Sequence, residues 1–278
     1  MTPHISIIVL NWNGKSLTSD CLHSLKKVTY PRFSVSVVDN GSTDGSVEFL
    51  ESEFPDINLI KLHRNYRYAG GDNRGFEVVF PQPEKSGYAL FLNNDTLVEP
   101  EFLDKLVAGI AEFGGDHIFS PKILYADHPD RIWFAGGVAN LTVANVSHIG
   151  IREIDNGRFK QNTHTDFVSG CALMIHADVF HKLGGFDESF GMYSEDVDLC
   201  LRAANQGVSC YMIAKSKIYH KVSASIGGNR SFLKNTRKLW ALLKLIRRHK
   251  GYFITLISFV CLVYQISKQY FNSTKFRQ

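Results

Sequence analysis

The stretch FSVSVVDNGSTDGS, residues 33–46, contains the pattern that decides the fold. Its first half is rich in valine and alternates with serine, which is typical of a β-strand. The polar run that follows predicts a turn, in which Ser42 or Asp44 can cap a helix. The next residues, SVEFLESEF, have the spacing of that helix. The stretch therefore predicts a strand followed at once by a helix.

The same order recurs on both sides of this stretch. Short apolar runs at 5–11, 57–65 and 87–93 predict further strands, and helical patterns lie between them. Repeated strand–helix units are typical of an α/β protein, with a mostly parallel central sheet flanked by helices. Residues 167–188 predict another strand and a helix ending at Gly184, and residues 209–221 predict a last strand. The region from about 115 to 165 predicts shorter strands and loops lying over the sheet.

Polar side chains follow each of the first four predicted strands. In an open parallel sheet, ligands bind at the carboxyl ends of the strands, so these side chains indicate one site. The alternative is that asparagine, aspartate and glycine only form turns there. The residues, in strand order, are Asn11, then Asp39 and Asp44, then Asn65, then Asn94 and Asp95.

Two of these segments suggest ligand chemistry by themselves. AGGDNRG, residues 69–75, lacks the G-x-G-x-x-G spacing and follows the third strand, which argues against a dinucleotide-binding enzyme. Asp95 in LFLNNDT, residues 90–96, is a single carboxylate at a strand end. One carboxylate completed by substrate phosphates and waters is a common way to hold Mg²⁺ or Mn²⁺.

A later stretch, SFGMYSEDVDLCLRAANQG at 189–207, has three acids at the start of a helical pattern. Asp198 lies four residues before Arg202, so the two can pair on the helix surface. Acids are also favoured in the first helical turn by the helix dipole. Glu195 and Asp196 therefore have either a catalytic role or only this structural one.

The segments together resemble a known family. SIIVLNWNG, VVDNGSTDGS, NYRYAGGDNRG, FLNNDT, GGFDESFGMYSEDVDLCLR and YHKVSASIGG occur in the order and rough spacing of the family 2 inverting glycosyltransferases with a GT-A fold. The subgroup they resemble is that of the bacterial rhamnosyltransferase-like enzymes of surface polysaccharide assembly. The resemblance covers about residues 3 to 228.

The resemblance implies a role for each matching residue. Asp196 would be the general base. Asp95 would bind the metal ion, Mg²⁺ or Mn²⁺, with His220 near the metal or the diphosphate. Asp39 would contact the pyrimidine ring of the donor, supported by Asp44. The other residues assigned to the nucleotide-sugar site are Asn11, Asn65, Gly70, Gly71, Asn73, Arg74, Asn94 and Glu195.

Three positions depart from the family pattern. Asn93 stands at the first position of the family's DxD-like motif, which leaves metal binding to Asp95. Arg67 and Asp72 stand where many relatives have glycine and asparagine. Arg67 or Arg74 can instead meet the diphosphate, because a guanidinium suits phosphate oxygens.

The C-terminal region differs in character from the rest. RKLWALLKLIRRHK, residues 237–250, is basic and amphipathic, and residues 251–267 carry no charge. This pattern is typical of a helix lying in a membrane interface. The alternatives are a helix packed on the protein itself and a true membrane span. We therefore predict a GT-A domain over 1–228 and a membrane-associating helical tail over 229–278.

Composition limits the remaining possibilities. Charged residues make up 21% of the chain and the net charge is +4, which fits a globular protein and gives no indication of a nucleic-acid partner. Five cysteines without a paired spacing favour a reducing compartment. The N-terminal apolar run is too short for a signal peptide. We expect a cytoplasmic protein, peripheral on the inner face of the plasma membrane.

The function expected from these patterns is sugar transfer. The donor would be a dTDP- or UDP-sugar, such as dTDP-L-rhamnose, and the acceptor a glycan or a lipid-linked glycan of a bacterial surface polysaccharide. The alternative is a non-catalytic subunit that binds a nucleotide sugar and recruits assembly enzymes. The sequence does not identify the sugar, the linkage or the oligomeric state.

Overall fold

The computed structural model of the chain describes residues 2–81, 87–222 and 232–275. Its strands are β1 (Ile5–Asn11), β2 (Phe33–Asp39), β3 (Asn58–Lys61), β4 (Tyr88–Asn93), β5 (Thr96–Val98), β6 (Ile118–Tyr125), β7 (Ile132–Phe134), β8 (Gly137–Asn140), β9 (Asn145–His148), β10 (Thr163–Thr165), β11 (Ala172–His176) and β12 (Cys210–His220). Its helices are α1 (Lys15–Leu25), α2 (Ser46–Glu53), α3 (Arg67–Val79), α4 (Phe102–Phe113), α5 (Ala177–Leu183), α6 (Glu195–Ala204) and α7 (Phe232–Lys275).

The central sheet has the strand order β10-β12-β6-β11-β4-β1-β2-β3, with β5 added to β12 and β7 added to β6. The pairings of β1 with β2 and β4, of β2 with β3, and of β6 with β12 are parallel. β11 runs antiparallel between β4 and β6. The sheet is therefore mixed, with parallel pairing between its longest strands, and the predicted α/β class is confirmed.

Helix α3 packs closely on the parallel part of the sheet. A Cβ atom added at Gly75 would lie only 2.4 Å from Val38 Cγ2 and 3.1 Å from Ile8 Cγ2. Because glycine has no Cβ, the helix backbone can approach β1 and β2 directly. This packing covers a strand whose apolar residues are almost all buried, as a parallel strand with two covered faces requires.

The expectation that residues 115–165 lie over the sheet is wrong for β6, β7 and β10, which all belong to the sheet. β6 is not an element over the sheet but a strand within it, between β11 and β12. Its sequence, IFSPKILY, contains Pro121 and Lys122, which hide the strand pattern. Lys122 is only 3% exposed, and its ammonium pairs with Asp155 at 2.6 Å, so a charged side chain lies inside the sheet.

The predicted C-terminal helix is present as α7. It bends at Gly251, which has φ 77° and ψ 177°. Before the bend, Ala241, Leu245 and Ile246 are buried against the domain. After the bend, Ser258 Oγ donates to the carbonyl oxygens of Leu141 and Thr142, in a short 3-10 turn between β8 and β9. Both halves of the helix thus contact the domain.

The sequence of α7 does not meet the requirements of a membrane span. Among the residues that the structure describes, no helix is both long and apolar enough to cross a bilayer. The predicted boundary between the domain and the tail, at 228, falls in residues 223–231, outside the described part of the chain.

Candidate active site

The carboxyl ends of β1, β2 and β4 are joined by a hydrogen-bond network around Asn11. Asn11 is fully buried, and its Nδ2 donates to Asp39 Oδ2 at 2.8 Å. Its Oδ1 accepts from Thr18 Oγ1 at 2.8 Å and from Asn94 Nδ2 at 3.3 Å. Asn11 and Asp39 are close because they lie opposite each other in the parallel pairing of β1 with β2. The structure therefore brings three of the predicted residues together.

The turn after β2 is shaped by its own aspartates. Asp39 Oδ1 accepts from the Ser42 amide at 2.9 Å, which closes the turn. Asp44 Oδ1 accepts from the amide and the hydroxyl of Ser46, at 3.1 and 2.5 Å, at the start of α2. Burial alone would raise the pKa of Asp44, but these hydrogen bonds outweigh it and lower the pKa. The N-cap of α2 is Gly45, so the prediction that Ser42 or Asp44 is the N-cap is wrong, although Asp44 accepts from the first residue of the helix.

Asn65 lies beside this turn, at the start of α3. Asn40 Nδ2 donates to Asn65 Oδ1 at 3.2 Å and to the carbonyl oxygen of Arg67 at 3.0 Å. Arg67 has the left-handed φ of 62°, which is unusual for a residue with a side chain. The Asn65 Oδ1 atom also accepts from the Arg67 amide, at 2.6 Å, and so stabilises this conformation.

Asp95, the residue after Asn94, forms a close pair with His220. His220 ends β12 and lies opposite Thr96 of β5, which places its ring next to Asp95. The His220 Nε2 and Asp95 Oδ1 atoms are 3.1 Å apart, and both residues are buried. The structure thus brings together the two residues predicted to bind a metal ion.

Asp196 is held rigidly in the first turn of α6. Its Oδ2 accepts from the Gly170 amide and its Oδ1 from the Val197 amide, each at 2.8 Å. Burial raises the pKa of Asp196, although both hydrogen bonds oppose the rise. The residue as a whole is half-buried.

Glu195, the neighbour of Asp196, is buried with one carboxyl oxygen, Oε2, that has no hydrogen-bond partner among the described residues. Burial, followed by the negative charge of Asp196, raises the pKa of Glu195 to about 8. Asp72, which is 1% exposed, also has a pKa well above its ordinary value because of burial. Burial therefore favours the protonated form of both Glu195 and Asp72.

Comparison with known proteins identifies the family. The sequence model of glycosyl transferase family 2 matches residues 6–184.

The chain belongs to glycosyl transferase family 2.

Similar proteins of this family are found among bacterial enzymes. The chain is 31% identical to the O-antigen biosynthesis protein RfbC of Myxococcus xanthus, over 81% of this chain but only 18% of that protein. It is 24% identical to the N-acetylglucosaminyl-diphospho-decaprenol L-rhamnosyltransferase of Mycobacterium tuberculosis, over 91% of this chain and 87% of that protein. The expected resemblance to rhamnosyltransferase-like enzymes is confirmed.

The GT-A fold is confirmed by a solved structure. The crystal structure of GalNAc-T7 with UDP, GalNAc and Mn²⁺ superposes on this chain with a TM-score of 0.66, over 88% of this chain and 48% of that one. The two sequences are only 14% identical, so this likeness concerns the fold alone.

In this family 2 transferase, the remaining predicted residues have structural partners. Asn73 exchanges hydrogen bonds with the backbone of Phe186, at 2.8 and 2.9 Å. Arg74 donates to Glu188 at 2.9 Å. A Cβ atom added at Gly70 would lie 3.0 Å from Glu188 Oε2, and one at Gly71 would lie 2.5 Å from Leu10 Cδ1. The segment from Gly70 to Arg74 thus supports the loop before α6, and its nucleotide-binding role stays a prediction.

The pair of Asp95 and His220 is a reasonable fit for a divalent cation. Among the described residues there is no group of three or more acidic, histidine or cysteine side chains that could hold a metal. A carboxylate and an imidazole are suitable ligands for Mn²⁺, and a carboxylate alone suits Mg²⁺. A cation held by two protein ligands would need oxygen atoms from a phosphate substrate to complete its coordination, which is compatible with a nucleotide-sugar donor.

The sequence did not indicate a row of three rings that ends at His220. The rings of His148 and Trp133 are 4.6 Å apart, and those of Trp133 and His220 are 4.5 Å apart. The negative charge of Asp196 acts on His148, whose pKa is nevertheless lowered, mainly by burial. His148 lies in the short strand β9, without a recognisable motif around it, so only the tertiary structure reveals its position.

Proposed function

We propose that this chain is an inverting glycosyltransferase that uses a nucleotide-sugar donor in the synthesis of a bacterial surface polysaccharide. The observation that supports this most directly is the environment of Asp196. Its carboxylate is fixed by two backbone amides, has a raised pKa, and acts electrostatically on His148, whose ring is the first of a row that ends at His220, the partner of Asp95. A base on one side and a diphosphate site on the other are what direct displacement at a sugar carbon requires.

In this mechanism Asp196 is the general base. An acceptor hydroxyl is a weak nucleophile, and a carboxylate within hydrogen-bond reach can take its proton during attack. A raised pKa makes the carboxylate a stronger base. Burial and the neighbouring charge raise the pKa of Glu195 to about 8, which favours Asp196 as the member of this pair that carries the negative charge. Attack on the face opposite the leaving diphosphate inverts the anomeric carbon.

The donor would lie along the carboxyl ends of the parallel strands. Asp39 would contact the nucleobase, with Asp44 and Asn65 shaping the adjacent turn and helix start. Asp95 and His220 would hold Mg²⁺ or Mn²⁺ against the diphosphate. When bound, the cation would neutralise the charge that develops on the leaving group. The other residues proposed for the donor site are Asn11, Gly70, Gly71, Asn73, Arg74, Asn94 and Glu195.

We propose dTDP-L-rhamnose as donor and a polyprenyl-diphosphate-linked glycan as acceptor. The support is the name of the mycobacterial relative, a rhamnosyltransferase acting on N-acetylglucosaminyl-diphospho-decaprenol, which aligns with 91% of this chain. UDP-sugars are the alternative donors, because UDP is present in the structurally similar GalNAc-T7.

Transfer is tested with radiolabelled dTDP-rhamnose and UDP-sugars, Mn²⁺ and a short-chain N-acetylglucosaminyl-diphospho-polyprenol. Asp196→Asn should lower the transfer rate by about 10²- to 10⁴-fold and leave dTDP binding unchanged. Asp178→Asn is the matched control, because it removes an acid from the first turn of another helix, α5. Full activity of Asp196→Asn would contradict the proposed base, and donor binding without turnover of any acceptor would favour the non-catalytic subunit.

We also propose that α7 attaches the enzyme to the cytoplasmic face of an anionic membrane. Beyond Gly251 its large apolar side chains face solvent, with exposures of 67–74% at Tyr252, Phe253, Leu256 and Val260. Basic side chains of residues 237–250 precede them in the same helix. An apolar stripe next to positive charge is the combination that binds the surface of an anionic bilayer.

Membrane attachment is tested by sedimentation with vesicles containing phosphatidylglycerol. Replacing Phe253 and Leu256 by serine should release the protein into the supernatant. Val78→Ser, which changes another exposed apolar residue in α3, is the control and should still sediment. Equal sedimentation of all three proteins would rule out this surface as the attachment site.

A further inference from the structure

The C-terminal helix provides two of the partners of Asp198, a residue of α6 that lies two positions after Asp196. The Asp198 side chain is fully buried. Its Oδ2 accepts from Arg202 Nε at 2.7 Å, within α6. Its Oδ1 lies 2.8 Å from His249 Nε2 and 3.0 Å from Arg248 Nε, both in α7. The carboxylate therefore ties α7 to the helix that carries Asp196.

The groups around Asp198 determine whether its buried carboxylate is ionised. Burial by itself would raise the pKa of Asp198, but the bonds from His249 and Arg202 and the charge of Arg248 outweigh it and lower the pKa. Asp198 is therefore ionised inside the protein. Without Arg248 and His249, the buried Asp198 carboxylate would have only Arg202 as a charged partner. Because one partner compensates less of the cost of burying the charge, the first turn of α6 would move to bring the carboxylate into contact with water.

The loop between α5 and α6 is held by the same face of α7. Arg248 forms an ion pair with Asp187 near the start of this loop. The Lys244 ammonium lies 4.7 Å from the centre of the Phe190 ring, which is buried. The segment that leads into α6 is thus fixed to α7 at two further points.

The last residues of this loop are in a strained conformation. Tyr193 and Ser194, directly before α6, have φ values of 78° and 69°. Residues with side chains rarely adopt this left-handed region, and they stay in it only when the surrounding structure holds them. The Lys238 ammonium of α7 lies 5.3 Å from the centre of the Tyr193 ring. Glu195 and Asp196 follow at once, so their orientation depends on how firmly this turn is held.

We propose that Arg248 and His249 are positioning residues for Asp196. Acting through Asp198, they hold the first turn of α6 in the orientation that proton transfer from the acceptor requires. The inference rests on the proposed role of Asp196 as the base. The C-terminal helix is then part of the catalytic apparatus, and its contribution to turnover is separate from membrane attachment.

The test compares two variants of the full-length chain with the wild type. In Arg248→Gln/His249→Gln, kcat for transfer to short-chain N-acetylglucosaminyl-diphospho-polyprenol should fall about 10- to 100-fold, because small displacements of a catalytic group are costly. The KM for dTDP-rhamnose should stay unchanged, and the binding to anionic vesicles should match that of Arg247→Gln, which also removes one arginine from residues 237–250. Arg247→Gln is the matched control, since Arg247 is exposed and its guanidinium faces the ring of Tyr252. An equal kcat in the double variant and the control would overturn the proposal.

A second variant separates charge from loss of packing. Arg248→Lys keeps the positive charge near Asp198, so it should retain more of the wild-type kcat than Arg248→Gln does. If both substitutions have the same kcat, the ion pair with Asp198 is not what positions Asp196.

Hydrogen exchange gives a readout that does not depend on activity. Backbone amides of residues 187–199 should exchange faster by about tenfold in Arg248→Gln/His249→Gln than in Arg247→Gln, because the loop and the first turn of α6 open more often. Equal exchange would overturn the proposal even if kcat fell. A wild-type protein that transfers no sugar would instead count against the proposed function, and the exchange experiment would still decide whether α7 holds α6.

Discussion

Replacing Glu195 with glutamine should remove a pH dependence that this buried carboxyl imposes on stability. Glu195 is 6% exposed, and burial together with the charges of Asp196 and Asp72 raises its pKa from the ordinary 4.5 to about 8. Glutamine has nearly the same shape and does not titrate. The substitution therefore removes the ionisation and leaves the packing of the first turn of α6 almost unchanged.

The sign of the effect follows from proton linkage. Below pH 4.5 the carboxyl is protonated in both the folded and the unfolded protein. Between pH 4.5 and about 8 the unfolded chain releases the proton while the folded protein retains it, so the free energy of unfolding decreases as the pH rises. Above pH 8 both forms are ionised and the effect is complete. Since one pH unit corresponds to about 1.4 kcal/mol, the whole effect is about 5 kcal/mol.

The assay is urea unfolding of the wild type and Glu195→Gln at pH 5 and at pH 8. Relative to the wild type, the variant should gain about 3 to 4 kcal/mol of stability between these two pH values. Glu77→Gln, at an exposed position of α3, controls for the loss of a carboxylate without burial. A gain below about 1 kcal/mol would refute the reasoning, because it would mean that the folded protein does not keep Glu195 protonated near neutral pH.

Three further predictions concern the donor side of the site and the fold. Asp95→Ala should abolish the increase in dTDP affinity that Mn²⁺ produces in the wild type, measured by isothermal titration calorimetry; an undiminished increase would exclude Asp95 as a ligand. Asn11→Ala should reduce the free energy of unfolding by about 1–3 kcal/mol, measured with urea, because Asp39 loses a buried hydrogen-bond donor. Gly75→Ala should cost about 1–3 kcal/mol in the same assay, because the new methyl group would overlap Val38; unchanged stability would show that α3 shifts freely.

Much of the site was predictable because its residues follow strands that the sequence marks clearly. The short apolar runs of β1 and β2 end in Asn11 and Asp39, and Asn94 directly follows β4. Parallel pairing alone brings such ends together. The pairing of Asp198 with Arg202 was predictable for a similar reason, since residues four apart meet on a helix. Both predictions depend on local geometry that repeats in every strand and helix.

Other features depend on contacts between residues far apart in the chain. β6 was not recognised as a strand within the sheet, because Lys122 is acceptable there only with Asp155 beside it. The raised pKa of Glu195 depends on burial, which no spacing in the sequence reveals.

The stretch from Ser194 to Arg202 shows most clearly which features depend on the sequence alone and which depend on the tertiary structure. The sequence alone determined that this is a helix with three acids in its first turn and one internal ion pair. Only the tertiary structure decided that Asp198 is buried and bound by Arg248 and His249, some fifty residues later in the chain. The physical reason is that helix formation and pairing four residues apart depend on short-range interactions. The ionisation of a buried carboxylate depends on whichever charges the fold brings next to it.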